Sequence, residues 1–133
     1  MNTRAALLLM SLLCWFARPS VAAEPVDVSL VQLIANPNDY HGKFVRVIGF
    51  VKLEFESNSV YLHQDDYKHQ IFKNGLWIDV TDEIRKKKDE FDQKYLLLEG
   101  TFNAKKKGHM GAWSGSIEKI SRSEVWSEKE GRK

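Results

Sequence analysis

Apolar and polar positions alternate along much of the chain, and one arrangement of them occurs twice. Lys43-Phe44-Val45-Arg46-Val47-Ile48-Gly49-Phe50-Val51 and Lys94-Tyr95-Leu96-Leu97-Leu98-Glu99-Gly100-Thr101-Phe102 align position for position. Each has a lysine, an aromatic residue, three mostly aliphatic positions, one variable position, a glycine and two further strand-type residues. Both predict strands with a glycine near the middle, where a bulge or sharp bend is expected. Ser59 to His63 and Gly75 to Val80 alternate with period two and predict two more strands. Glu56-Ser57-Asn58 makes the turn before the first of these. Ala112 to Ile120 predicts a last strand, continuing through a bulge towards Val125 and Trp126.

Helical spacing is confined to two short stretches. Ser29 is an N-cap before Leu30, Val31, Leu33 and Ile34, and Asn36-Pro37-Asn38 stops that helix. Thr81 or Asp82 caps a second helix with Ile84 and Phe91 as its apolar positions and Arg85 to Lys88 as its surface. Asp65 to Asn74 reads as a polar loop, and Asn103 to Gly111 as a loop rich in glycine and lysine.

The predicted order is helix, three strands, helix, two strands. That is a mainly β chain with two short helices, and it matches the five-stranded Greek-key barrel of the OB-fold. The motifs Gly42-Lys43-Phe44-Val45-Arg46-Val47-Ile48-Gly49, Gly75-Leu76-Trp77-Ile78 and Tyr95-Leu96-Leu97-Leu98-Glu99-Gly100 resemble those of small secreted bacterial OB-fold-like proteins of undefined function. The resemblance covers about residues 28–122 and implies a fold rather than an activity.

In a small barrel alternate residues fill the interior. The expected inner set is Val45, Val47, Val51, Val60, Leu62, Leu76, Ile78, Val80, Leu96, Leu98 and Phe102. The outer set is Phe44, Arg46, Ile48, Phe50, Tyr61, His63, Trp77 and Asp79, on the face where OB-folds commonly bind ligands. Exposed rings there would be a stacking platform. The first helix must bury Leu30, Val31 and Ile34 somewhere, so it is expected to cover part of this face.

The N-terminus changes the meaning of composition. Asn2-Thr3-Arg4 is a short basic start, Ala5 to Ala17 is an apolar run of 13 residues, and Val21-Ala22-Ala23 supplies small residues for cleavage. This is the secretory signal pattern over residues 1–23, too short for a comfortable membrane span. It predicts a periplasmic or secreted protein with a single domain over 24–126 and a charged tail over 127–133. The whole chain has a net charge of +2, but Arg4 and Arg18 belong to the leader, which leaves 18 basic and 18 acidic residues. A neutral domain lacks the basic footprint of a nucleic-acid binder. Cys14, the only cysteine, also belongs to the leader, so neither a disulfide framework nor a thiol nucleophile is expected.

Motifs that carry chemistry are sparse. There is no phosphate-binding glycine loop, and Trp113-Ser114-Gly115-Ser116 lacks the leading glycine of a nucleophile elbow. Glu54 and Glu56 form a common carboxylate spacing on one expected strand face. No cofactor is implied. The expected function is therefore an exported, non-enzymatic binding module for a protein or an anionic polymer of the cell envelope. Its ligand-binding residues would be Phe50, Tyr61, His63 and Trp77, bordered by Lys105, Lys106 and Lys107 on the loop that edges the OB cleft. Against that loop reading stands a solvated tip made flexible by Gly108 and Gly111. One alternative is a metal-binding protein or metal-dependent enzyme using His63, Asp65 and His69, with Asp66 nearby. The other is single-stranded nucleic-acid binding, which the export signal and neutral charge disfavour.

Overall fold

The computed structural model describes residues 22–127. The leader expected over 1–23, with Cys14, lies outside the described residues except for Ala22 and Ala23, as does the tail from residue 128.

A strand of nine residues, β2 (Phe44–Lys52), organises the fold. It pairs antiparallel with β5 (Lys94–Asn103) along nearly its whole length, from Phe44 opposite Thr101 to Val51 opposite Lys94. Its far end also pairs antiparallel with β3 (Ser59–Tyr61), which pairs with β4 (Gly75–Ile78). β6 (Ser116–Val125) runs parallel to β4 and antiparallel to β5. The strand cycle β2-β3-β4-β6-β5-β2 is a closed five-stranded barrel with OB-fold-like topology. A two-residue strand, β1 (Val26–Asp27), is added in parallel to the start of β2.

Because side chains alternate, this closure decides what lies inside. Val45, Val47, Val51, Val60, Leu76, Ile78, Leu96, Leu98, Phe102 and Ile117 are buried in one core, with Leu62 and Val80 packed against it. The inner set expected from alternation is the set found. Both glycine strands form, but of the bulges expected at their glycines only the one at Gly100 is found. Opposite Gly100 the register of β6 slips between the Glu99–Arg122 and Thr101–Glu118 pairs, which makes a bulge. Lys119, within that bulge, has a positive φ of 49°. Gly49 has no bulge but gives up its side-chain space to a helix.

That helix is α1 (Leu30–Ala35). Ser29 caps it, accepting from the Gln32 N–H at 3.1 Å, while the Gln32 amide oxygen accepts from the Ser29 N–H at 2.9 Å. Leu30 and Leu33 enter the barrel core, Ile34 packs against it, and Val31 stays 55% exposed. A Cβ at Gly49 would lie 2.6 Å from Val60 Cγ2 and 2.7 Å from Leu30 Cδ1. The helix thus plugs the interior and does not cover the outer aromatic face, contrary to expectation. A turn, α2 (Pro37–Tyr40), leads from it into β2.

The helix expected after β4 forms as two turns, α4 (Asp82–Lys86) and α5 (Lys88–Phe91), broken at Lys87. They send Ile84 and Phe91 into the core. The region expected to be a plain polar loop holds α3 (Gln64–Lys68) and a single 3-10 turn, Phe72–Asn74. No helix among the described residues is long and apolar enough to cross a membrane.

The seat of Leu30 in the gap at Gly49 is testable by mutation. Gly49→Ala overpacks that contact and is expected to cost about 1–3 kcal/mol of unfolding free energy. The same change in a Leu30→Ala background should cost less, because the larger of the yielding neighbours is gone. Urea denaturation of the four proteins measures the coupling, and strictly additive effects would contradict the plug geometry.

Candidate functional site

The outer face of β2, β3 and β4 carries the expected rings, and other parts of the same chain lie over them. Phe50 is 2% and Tyr61 0% exposed. The Tyr67 ring on α3 stands 6.0 Å from Tyr61 and 6.4 Å from Phe50 between centroids. Tyr95 meets Phe50 edge-on at 5.7 Å. On the β4 side, Trp113 lies 5.1 Å from both Phe72 and Trp77. Its indole N–H donates to the Tyr61 hydroxyl at 3.3 Å. Gly75 permits this, since a Cβ there would lie 2.7 Å from the Tyr61 ring. The platform expected at Phe50 and Tyr61 is therefore filled by Tyr67 and Trp113, and Trp77 is half-buried beneath Trp113.

Short polar contacts pin the cover. The Asp66 carboxylate accepts from the His63 N–H at 3.1 Å and from the Asn74 side-chain amide at 2.9 Å, tying both ends of the α3 segment together. Tyr67 donates its hydroxyl to Glu54 at 2.6 Å. Lys52 stands 3.0 Å from Asp92 and 3.8 Å from Glu54, with its ammonium 5.5 Å from the Tyr67 ring centroid. Burial pushes the Asp92 carboxyl up, but the Leu53 N–H and the Lys52 ammonium outweigh it and hold the group below its ordinary 3.8. The Tyr67 phenol is pushed up to about 12, chiefly by its hydrogen bond to Glu54 and then by burial. Clefts of about 360 and 270 Å³ open on either side of Glu54, the larger beside Leu53, Phe55, Arg85 and Lys88. Glu54 lies past the end of β2 and Glu56 in the following turn, so they do not form a strand-face pair.

The metal alternative drew on residues that this local folding uses separately. His63 is exposed with Nδ1 3.4 Å from the Tyr95 hydroxyl, and His69 Nδ1 lies 2.9 Å from the Asp65 carbonyl oxygen. Asp66 is engaged by His63 and Asn74, and Asp65 lies 3.8 Å from Lys68. Among the described residues no three such side chains converge.

The lysine loop between β5 and β6 is the most organised exposed feature near this face. Asn103 Oδ1 accepts from the N–H groups of Lys105 and Lys106 at 2.9 and 3.1 Å. Lys106 reaches back over the barrel to Asp79 at 2.6 Å and Glu118 at 3.2 Å. The Asp79 hydrogen bond above all, against a smaller effect of burial, raises the ammonium above its ordinary 10.5. Asp79 also accepts from the Trp77 indole N–H at 3.2 Å. Gly108, at φ +68°, is pressed between Trp77 and Trp113, where a Cβ would lie 2.5 Å from the Trp77 ring. The Trp113 N–H donates to the Lys107 carbonyl at 3.1 Å, and the Ser114 hydroxyl donates to the Lys73 carbonyl at 2.7 Å. Gly108 is a packing position rather than a source of flexibility. Lys105 and Lys107 are exposed and carry no carboxylate within 4.0 Å among the described residues.

Sequence reasoning missed Tyr67, Phe72 and Trp113 as the cover. The available signal was three large rings in otherwise polar connections flanking strands whose outer faces were already aromatic.

No protein-family model matches the chain. No curated protein matches it either. Among solved structures the chain is similar to the "crystal structure of a putative aspartyl-tRNA synthetase from Leishmania major Friedlin", with a TM-score of 0.47 and 8% identity. The match covers 84% of this chain and 22% of that one, so the chain spans about a fifth of that protein's length.

The Tyr67–Glu54 latch has a pH signature. An unfolded tyrosine ionises near 10, whereas the folded Tyr67 keeps its proton to about 12. The native state therefore binds that proton more tightly, and the latch's contribution is complete below pH ~10 and lost as pH rises through ~12. Tyr67→Phe should lower stability at neutral pH by about 1 kcal/mol, a half-exposed hydrogen bond to a charged acceptor. It should also remove a step near pH 12 from a spectrophotometric tyrosine titration. A titration unchanged at the alkaline end would count against the latch.

Proposed function

We propose that this chain is an exported, non-enzymatic OB-fold-like module that binds an anionic polymer or an acidic protein surface of the cell envelope. The contact is made by the β5–β6 loop, with Lys105 and Lys107 as the binding cations. The observation that carries this reading is the fixing of Lys106 between Asp79 and Glu118. A run of three lysines on a free tip would be a solvated charge patch. Here the middle one anchors the loop, and the two on either side are held outward on a frame of Trp77 and Trp113.

Preorganisation of this kind matters because ordering long side chains and loop backbone at the moment of binding weakens association. The frame meets part of that cost within the folded monomer. Met110, 89% exposed on the same loop, adds an apolar surface beside the cations. Trp77 then serves the site from behind, as the packed base of the loop, and Tyr61 holds Trp113 through its hydroxyl, while Phe50 lies under Tyr67 and Tyr95 and His63 at the margin of that cover. Export rests on the leader pattern of residues 1–23.

Heparin and polyphosphate serve as model polyanions for the test. Lys105→Glu with Lys107→Glu should weaken binding at low salt by about tenfold, the value of two exposed ionic contacts of about 0.5–1 kcal/mol each. The folded state should be unaffected, as read by near-UV circular dichroism of the tryptophans. Equal retention of the double variant and the unmodified protein across a salt gradient would sink this assignment.

A further inference from the structure

Among the described residues the second half of β6 has an unpaired edge. β4 pairs with β6 only at Ser116 and Ile117. Beyond that point β6 continues to Val125 with β5 as its only strand partner, while α5 packs near it through the core cluster that holds Phe91 and Ile120. Among the described residues no backbone group from Ser121 to Val125 is hydrogen-bonded on the side away from β5. The Trp126 N–H donates to the Tyr95 carbonyl at 2.8 Å, which sets the alternation of the ladder. Arg122, Glu124 and Trp126 turn their backbone groups towards β5, and Ser121, Ser123 and Val125 turn theirs outward. Edges of this kind are usually blunted by proline, inward charge or a bulge. The bulge of β6 lies at Lys119, before the free stretch rather than within it.

We propose that two copies of this chain pair through this edge, antiparallel, about a two-fold axis at Ser123. Charge selects the register. Centring the pair on Arg122 sets Arg122 against the partner's Arg122, and centring it on Glu124 sets two carboxylates together. Like charges directly opposite are destabilising. Centring on Ser123 sets Arg122 opposite the partner's Glu124 and Glu124 opposite the partner's Arg122. The same register pairs the outward backbone groups of Ser121 with those of the partner's Val125, and Ser123 with the partner's Ser123. All the outward hydrogen-bonding groups of the free stretch are then satisfied at once. Arg122 and Glu124 already meet within one chain, at 2.6 Å, so both side chains lie on the face where the exchanged pairs form. Tyr95 and Trp126, 38% and 49% exposed, flank the seam on that face.

The test uses the full chain with Cys14→Ser, followed by sedimentation equilibrium and mild oxidation. The expected mass is twice that of one chain, with an affinity that rises at low salt. Ser123→Cys should form an intermolecular disulfide, because hydrogen-bonded antiparallel partners stand about 5.5 Å apart at Cα, within disulfide reach. Lys119→Cys, off the axis, should not. Glu124→Arg should weaken association at least tenfold while leaving the monomer folded, since it removes only an exposed intrachain pair. Ser123→Pro removes an outward N–H without touching the β5 ladder and should also yield monomer. A monomer at hundreds of micromolar protein, or a dimer equally tight in Glu124→Arg and Ser123→Pro, overturns the proposal. Either result leaves the lysine-loop assignment standing, because its polyanion test reads different residues.

Discussion

The pairing of β2 with β5 is the contact on which the rest of the molecule depends. It joins the first and fourth barrel strands along nearly their whole lengths, from Phe44–Thr101 to Val51–Lys94, and converts an open sheet into a barrel. Once the sheet is closed, the period-two alternation of side chains leaves no freedom in what faces inward. Val45, Val47 and Val51 must line the core with Leu96, Leu98 and Phe102, and the remaining positions must face out. Phe50, Tyr61 and Trp77 are among those outward positions. Their burial is therefore a second problem that closure creates and cannot solve.

The chain solves it with its own connections. The β3–β4 segment contributes Tyr67 and Phe72, and the β5–β6 segment contributes Trp113. Burying a large ring stabilises by about 1.5–3 kcal/mol, enough to offset the ordering of one or two loop residues for each ring. Tyr67 and Trp113 also meet a polar group at their edges, Glu54 and the Tyr61 hydroxyl, so neither ring's donor is stranded. The consequence reaches the lysines. Trp113 can seat only if Gly108 folds against Trp77, and that path fixes where Lys105, Lys106 and Lys107 emerge. The order of the cationic loop is thus inherited from aromatic packing, with Asp79 and Glu118 adding the last restraint on Lys106.

The barrel was legible because its information is periodic. Alternation over nine residues in β2 and in β5 identifies the inner face without knowledge of any partner, and Gly100 marks the bulge. The placement of α1 was not legible, because a helix of six residues shows too little of its periodicity to choose between stripes. Leu30, Val31 and Ile34 fit helical spacing as well as Leu30 and Leu33, and the gap at Gly49 decided for the latter. The cover was hidden for a different reason. Tyr67 sits in Gln64-Asp65-Asp66-Tyr67-Lys68, where its neighbours are all polar and no repeat distinguishes a buried ring from an exposed one. The lysine loop was found by composition, but its order depends on long-range contacts such as Lys106 to Asp79, which no local pattern contains.

Closure also explains where the barrel remains open. A strand that pairs on both sides must keep its register, but the slip of β6 opposite Gly100 turns its second half away from β4. β5 still holds that half, so the strand persists to Val125 without a second strand beside it. Along β5 this bare edge lies beside the first residues, Leu96 to Glu99, whereas the lysine loop leaves from the last residue, Asn103. The two surfaces therefore occupy opposite ends of one strand and do not compete for space. In the proposed dimer, pairing at the β6 edge would leave both cationic loops uncovered and hold them in one assembly. For a polyanion with repeated charges, the second loop of that dimer would bind at an effective concentration set by the dimer rather than by bulk solution. Two exposed lysines are weak alone, and in the proposed dimer duplication by symmetry would strengthen their hold on such a polymer.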